Sequence, residues 1–432
     1  MIDIPQGKRY IYILFLYILP LCPFLRAQEP ADLSIKRYLE QTYEVPFSTN
    51  NRIVFFKTGQ EKFDDLFEAV RQASKSIHLE YFNFRNDSIS RLLFKLLEQK
   101  ASHGVEVRAV FDGFGNSSNN RPLKRVHLDS LRKRGIQIVE FAPLRFPYVN
   151  HALHRDHRKI VVIDGLVAYT GGMNVADYYI KGKKEFGEWR DIHARVEGDV
   201  VDELQKIFIS FWNRVTHENV HGPQYYTGGR DARRYFHGLK ADTCQTAGDK
   251  CIGVVDRGPQ SPRRIIHDAF VNSIDSAERR IDIINPYFTL CSHIRRALRR
   301  AVRRGVEVRV MISSKSDIPI TPRIVEHNAH RLMKAGVRIF VFEGGFHHSK
   351  IMMVDNSFAY VGSANLNSRS LVYDYECNLL VADECATEEL ISIFENDRSR
   401  HCWELTPETW KSKFSSGRRF GAWFWQFLTP FV

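Results

Sequence analysis

Residues 154–174 read HRDHRKIVVIDGLVAYTGGMN, which places His157, Lys159 and Asp164 in the spacing H-x-K-x4-D ahead of Gly171-Gly172-Met173-Asn174. A second copy, HSKIMMVDNSFAYVGSAN, begins at His348 and sets Lys350, Asp355, Gly362, Ser363 and Asn365 at the same offsets. On an extended chain residues i and i+2 project from one face, so each imidazole and its neighbouring ammonium point into the same pocket. Ile160-Val161-Val162-Ile163 carries the strand into a buried sheet. Asp164-Gly165 and Asp355-Asn356 turn the chain, and Ala168-Tyr169-Thr170 and Ala359-Tyr360-Val361 return it. The small residues Gly171-Gly172 and Gly362-Ser363 let backbone approach a ligand closely and bring Asn174 or Asn365 back beside the lysine. Each copy supplies one His, one Lys and one Asn, a positive and donor-rich pocket suited to a phosphodiester. Two such copies in one chain read as a paired active site.

The repeat extends beyond the motifs. Gly104-Val105-Glu106-Val107-Arg108 recurs as Gly305-Val306-Glu307-Val308-Arg309, and Gly135-Ile136-Gln137-Ile138 recurs as Gly336-Val337-Arg338-Ile339, both 201 residues on. The motif histidines are only 191 apart, so the first half carries ten extra residues, within 142–153. Around the motifs, strand-like runs such as 53–56, 76–82 and 105–111 alternate with helical spacing, as in Phe63, Leu66, Phe67 and Val70. This order predicts an α/β fold of two homologous domains, each a mixed β-sheet flanked by helices, in a pseudo-twofold arrangement with both motifs at the interface. The expected division is a signal peptide or anchor over 1–27, a first domain over 28–215, an irregular linker over 216–250, and a second domain over 251–432 with an aromatic tail. Residues 33–48 read as a polar helical approach.

With 432 residues, 44% hydrophobic and 26% charged, the chain is long enough for two folded domains, and its net charge of +12 favours anionic partners. Charge alone does not separate nucleic acid from an anionic membrane surface. Lys8 and Arg9 precede an apolar run over 10–25, and Leu25-Arg26-Ala27 offers a cleavage site before Gln28. That run, interrupted by Pro20 and Pro23, falls short of the roughly 20 apolar residues needed to cross a bilayer. A secretory signal is the expectation, with a retained anchor as the alternative. Cys244 and Cys251, seven apart, would pair in an exported chain or stay as two free thiols. No Cys/His spacing resembles a zinc site, so chemistry without metal or cofactor is expected.

The paired motifs resemble those of the phospholipase D superfamily. Residues 77–82 (IHLEYF), Trp189-Arg190-Asp191-Ile192-His193 and Asn285-Pro286-Tyr287-Phe288 sharpen the likeness to bacterial cardiolipin synthases, which extends from Arg52 to the C-terminus. Two departures stand out: such synthases usually begin with two spanning helices where this chain has one leader, and Thr289-Leu290 stands where the family commonly has Pro-Asp.

The resemblance implies the catalytic set His157, Lys159, Asp164, His348, Lys350 and Asp355. In it His157 attacks phosphorus and His348 works as acid and base, while the two aspartates fix their turns. Lys159, Lys350, Asn174 and Asn365 would bind the phosphate oxygens, and Asp191 and Glu376 are the candidates to orient the imidazoles. His151, His154 and His347 are expected to line loops or the cleft without chemistry.

The implied reaction is phosphatidyl transfer between phosphatidylglycerol molecules, giving cardiolipin and glycerol. The alternative is a secreted phospholipase D or a nuclease-type phosphodiesterase that uses water. Expected partners are anionic phospholipid and a membrane surface, with nucleic acid attached to the alternative, and the expected location is the cell envelope, exported to the periplasmic face of the inner membrane. Two stretches fit that setting. Six arginines between Arg295 and Arg304 share one face of a helix, and residues 420–428 (FGAWFWQFL) are densely aromatic.

Overall fold

The computed structural model describes residues 29–144, 153–232, 237–240, 250–260 and 264–431. The leader, most of the ten-residue insertion, His151 and Cys244 lie outside these.

Two mixed sheets carry the motifs. The first runs, edge to edge, Asn51–Phe56, His193–Gly198, Val167–Gly171, Ile160–Ile163, Ser76–Tyr81, Glu106–Asp112 and Gln137–Phe141. The second repeats that order as Cys251–Arg257, Glu376–Ala382, Phe358–Gly362, Ile351–Val354, Arg280–Ile284, Glu307–Ser313 and Arg338–Phe342, with short strands Phe47–Ser48 and Cys402–Glu404 added at its two edges. In each half the strand that follows His-x-Lys is central and antiparallel to both neighbours. Ile160–Ile163 and Ile351–Val354 are buried along their whole length, because helices or the other half cover both faces.

Three large apolar clusters follow from this layering. One lies between the first sheet and its outer helices, Gly59–Gln72 and Ser88–Ser102, and a second between the second sheet and Ile265–Ser276, Ser292–Arg303 and Thr321–Met333. The third joins Ile160, Val162 and Ala168 of the first sheet to Ile351, Met353 and Val361 of the second, together with helices Val200–Thr216 and Glu384–His401. The halves therefore share one core, and the two motifs cannot drift apart without exposing it.

The N-terminal arm departs from the expected division. Helix Ala31–Tyr43 buries Ala31, Ile35 and Leu39 in the second half's cluster, and strand Phe47–Ser48 pairs with Cys251–Arg257. Chain order placed this arm in the first domain; its apolar stripe is instead completed by helix Ile265–Ser276. Of the two readings of Cys244 and Cys251, the free thiol holds for Cys251, while Cys244 lies outside the described residues; Cys385 is disulfide-bonded. No described helix is long and apolar enough to cross a membrane.

Candidate active site

The extended segments before Ile160 and Ile351 bring His157 and Lys159, and His348 and Lys350, to the seam between the halves. Strand-like bridges cross that seam twice: Asp156 pairs with Tyr375, and Phe346–His347 pairs with Trp189–Arg190. The backbone N–H of His157 donates to the Tyr375 carbonyl at 3.0 Å, and that of His348 to the Arg190 carbonyl at 2.6 Å. Each histidine is thereby laid beside the carboxylate of the opposite half. His157 Nδ1 lies 3.0 Å from Glu376 Oε1, and His348 Nδ1 lies 2.7 Å from Asp191 Oδ2. Asp191 and Glu376 thus each lie beside the histidine of the other half.

The electrostatics follow from burial. Desolvation, helped by Lys159, pulls the His157 imidazole down to about 4. Burial and Lys350 hold His348 well below its ordinary value. Burial also brings the ammonium of Lys159 down to about 7 and that of Lys350 to about 8. The carboxylates differ. Burial pushes Asp191 up to about 6 against the pull of Lys350. For Glu376 burial pushes upward too, but His157, Lys159 and the Ser363 hydroxyl outweigh it and keep the group below the usual range. A neutral imidazole whose Nδ1–H is given to an ionised carboxylate keeps a lone pair on Nε2.

Small residues make room for these carboxylates. A Cβ on Gly172 would lie 2.2 Å from Asp191 Oδ1. In the second half Ser363 occupies the matching position, donates its hydroxyl proton to Glu376 and accepts the Cys377 N–H at 3.1 Å. Asn174 and Asn365 are buried, and among the described residues Asn365 Oδ1 has no hydrogen-bond partner. Lys159 and Lys350 each fold back onto the carbonyl of their own motif histidine.

Asp164 and Asp355, grouped with the catalytic residues by their motif, do not face the seam. Asp164 accepts hydrogen bonds from Ser74 N (2.7 Å), Ser74 Oγ (2.9 Å), Lys75 N (2.7 Å) and Ser76 N (2.9 Å), anchoring the start of the neighbouring strand. Asp355 does the same with Glu278, Arg279 and Arg280 N–H groups at 2.6, 2.8 and 2.8 Å. Their carboxylates are occupied at the far end of the motif strand. His347 is buried against Asp397 at 3.1 Å, and His154 is exposed.

The aromatic walls carried no role in the sequence reading. Phe82 meets His157 edge-on with centroids 5.3 Å apart, and Trp189 and Tyr287 lie 5.5 and 5.7 Å from His348. Their signal was positional: Phe82 and Tyr287 follow the C-terminal ends of the strands Ser76–Tyr81 and Arg280–Ile284, the side on which α/β sheets bind ligands.

The family description "Cardiolipin synthase, PLD-like domain" matches residues 66–212 and 270–398, one span in each half. The chain belongs to this family. It is an enzyme of the phospholipase D-type phosphatidyl transferase class. It is 33% identical over 367 residues to a cardiolipin synthase of Listeria monocytogenes serotype 4b, covering 84% of this chain and 72% of that one. It is 34% identical over 357 residues to cardiolipin synthase 2 of Staphylococcus epidermidis, with 81% and 68% covered. Among solved structures, a phosphatidylserine synthase of Haemophilus influenzae superposes with a TM-score of 0.67 at 13% identity, over 92% of this chain and all of that one, a likeness of fold.

Proposed function

We propose that the protein transfers a phosphatidyl group from one phosphatidylglycerol to another, giving cardiolipin and glycerol. The crosswise pairs His157–Glu376 and His348–Asp191 carry this reading, because a carboxylate on Nδ1 leaves the Nε2 of each imidazole for chemistry at a phosphate. In the first step His157 Nε2 attacks phosphorus, the bond to the glycerol head group breaks, and His348, which takes up a proton on Nε2 when the anionic phosphate enters beside it, gives that proton to the departing oxygen. In the second, His348 takes the proton of a hydroxyl on the incoming phosphatidylglycerol, that oxygen attacks phosphorus, and the bond to His157 breaks. One phosphodiester is exchanged for another, so the chemistry is nearly isoenergetic and needs no nucleotide.

The ionised Glu376, fixed by Ser363, supports His157 as nucleophile, since a permanent acceptor on Nδ1 raises the basicity of Nε2. Lys159, Lys350, Asn174 and Asn365 hold the non-bridging oxygens, and an arriving anion restores the charge that burial removes from the lysines. A location in the cell envelope, on the outer face of the inner membrane, is supported by the disulfide-bonded Cys385, which belongs in an oxidising compartment.

The deciding experiment is product analysis on vesicles containing phosphatidylglycerol, with the natural chain, His157→Ala and His348→Ala. Cardiolipin plus free glycerol, lost in both variants, is expected. Phosphatidic acid without cardiolipin would replace this reading with hydrolysis.

A further inference from the structure

The C-terminal segment folds as helix Ser416–Phe424 and a following turn Trp425–Phe431. Of the helix only Ala422 is fully buried, while Phe420, Trp423, Phe424 and Phe427 are 63%, 60%, 49% and 57% exposed. These rings touch one another, with Phe420–Trp423 centroids 5.6 Å apart and Phe424–Phe427 centroids 5.7 Å apart, so the exposed surface is continuous. A contiguous apolar patch of this kind is not neutral on a soluble surface and marks a contact.

The segment is tied to helix Thr321–Met333. Arg418 forms an ion pair with Glu326, its guanidinium lies 4.6 Å from the Phe414 ring centroid, and Gln426 Nε2 donates to the Ala422 carbonyl at 3.0 Å. The aromatic rings therefore point outward from a fixed base.

Next to them runs a basic band built from two helices. On Ser292–Arg303 the apolar residues Ile294, Ala297, Leu298 and Ala301 are buried and the arginines face out. Helix Thr321–Met333 packs in the same apolar cluster, ends in the exposed Arg331 and Lys334, and carries the aromatic segment through the Arg418–Glu326 ion pair and the Gln426 bond to the Ile324 carbonyl. Positive charge thus continues from the arginine helix to the base of the aromatic segment.

This surface is also joined to the candidate active site. Phe414 and Arg418 line a cavity of about 440 Å³ whose other wall includes Ser313 and Ser314. The Ser313 hydroxyl accepts the N–H of His347 at 3.2 Å, and His347 adjoins His348. The aromatic segment therefore lies at the same end of strand Glu307–Ser313 as the second motif.

We propose that the C-terminal aromatic cluster, together with the basic band beside it, is an interfacial docking surface that seats the site on an anionic phospholipid bilayer. Aromatic rings settle at the head-group level, and arginines beside them meet the negative surface. The proposal rests on reading the substrate as a membrane phospholipid.

The test uses the full chain on vesicles of phosphatidylcholine and phosphatidylglycerol with brominated acyl chains, which quench buried tryptophan emission. Residues 1–28 contain no tryptophan, so a leader that enters the bilayer adds nothing to the signal. Quenching of the natural chain, most of it lost in Trp423→Phe/Trp425→Phe, is expected; quenching that is absent, or unchanged in that variant, overturns the proposal. In a second variant, Phe420→Ser/Trp423→Ser/Phe427→Ser, turnover of bilayer phosphatidylglycerol should fall about ten-fold while turnover of a water-soluble short-chain phosphatidylglycerol stays within about two-fold. Loss of both activities together overturns a docking role. So does a shift from dimer to monomer in sedimentation without any quenching in the natural chain, which assigns the patch to a second copy. Quenching that behaves as expected in a chain that turns over no phospholipid would leave docking standing and defeat the transferase reading instead.

Discussion

His157 and Glu376 stand 219 residues apart in sequence and 3.0 Å apart in space, and His348 and Asp191 repeat the relationship across the same seam. Neither half supplies both members of a pair. Each histidine depends on the other half's carboxylate for its tautomer and direction.

Glu376→Gln and Asp191→Asn should each lower kcat by about 10² to 10⁴, because an amide still fills the space but no longer favours the required tautomer. His157→Ala/Glu376→Gln should be little worse than His157→Ala alone, since the two act as a unit. Additive losses in this cycle would mean that Glu376 works through some other group.

Acid quench of the natural chain during turnover of phosphatidylglycerol should trap a phosphorylated histidine, located by peptide mass analysis at His157 and absent from His157→Ala. A label on His348 instead would reverse the two roles while leaving the paired site intact.

The pH dependence of kcat/KM follows from the two buried cation types. His157 must be neutral to attack, and its value of about 4 sets an acid limb that rises through that pH. Lys159 and Lys350 must be charged to bind phosphate, so activity should fall as they lose protons through about 7 and 8. Lys159→Arg should move the basic limb upward, because guanidinium stays protonated. A basic limb that does not move would remove Lys159 from phosphate binding.

Gly172 and Ser363 occupy equivalent positions but should respond to alanine for different reasons. Gly172→Ala brings a Cβ to 2.2 Å from Asp191 Oδ1, which should displace that carboxylate, cost about 1–3 kcal/mol of stability and lower kcat. Ser363→Ala fits the space and removes the hydrogen bonds of its hydroxyl to Glu376 and to the Cys377 backbone, so kcat should fall by roughly ten-fold or less. Thermal melts alongside kcat separate the two effects.

Asp164→Ala should act on stability. Losing an acceptor that holds the amides of Ser74, Lys75 and Ser76 should cost about 2–4 kcal/mol, while the kcat of the protein that remains folded changes little. A collapse of kcat at unchanged melting temperature would return Asp164 to the catalytic set.

The sequence by itself determined the local chemistry. The period of two in His-x-Lys, the turn at Asp164-Gly165 and the repeat of both motifs depend on backbone geometry within a few residues, and the two matching sheets follow from apolar alternation of the same short range. Asp191 and Glu376 could be named from their place after each motif, but not which histidine each would hold. That assignment is made by the shared core, where Ile160 and Val162 pack with Ile351 and Met353 and fix the seam between the halves. The same packing decided what the chain order misplaced: the arm 31–48 completes the second half because its apolar stripe finds helix Ile265–Ser276 there. Asp164 was legible as a turn residue, yet its true partners, the amides at the start of a strand 88 to 90 residues earlier, are brought to it only by sheet pairing. Spacing along a chain specifies which face a side chain takes; which side chain it meets across a seam is settled by the burial of apolar surface that closes the fold.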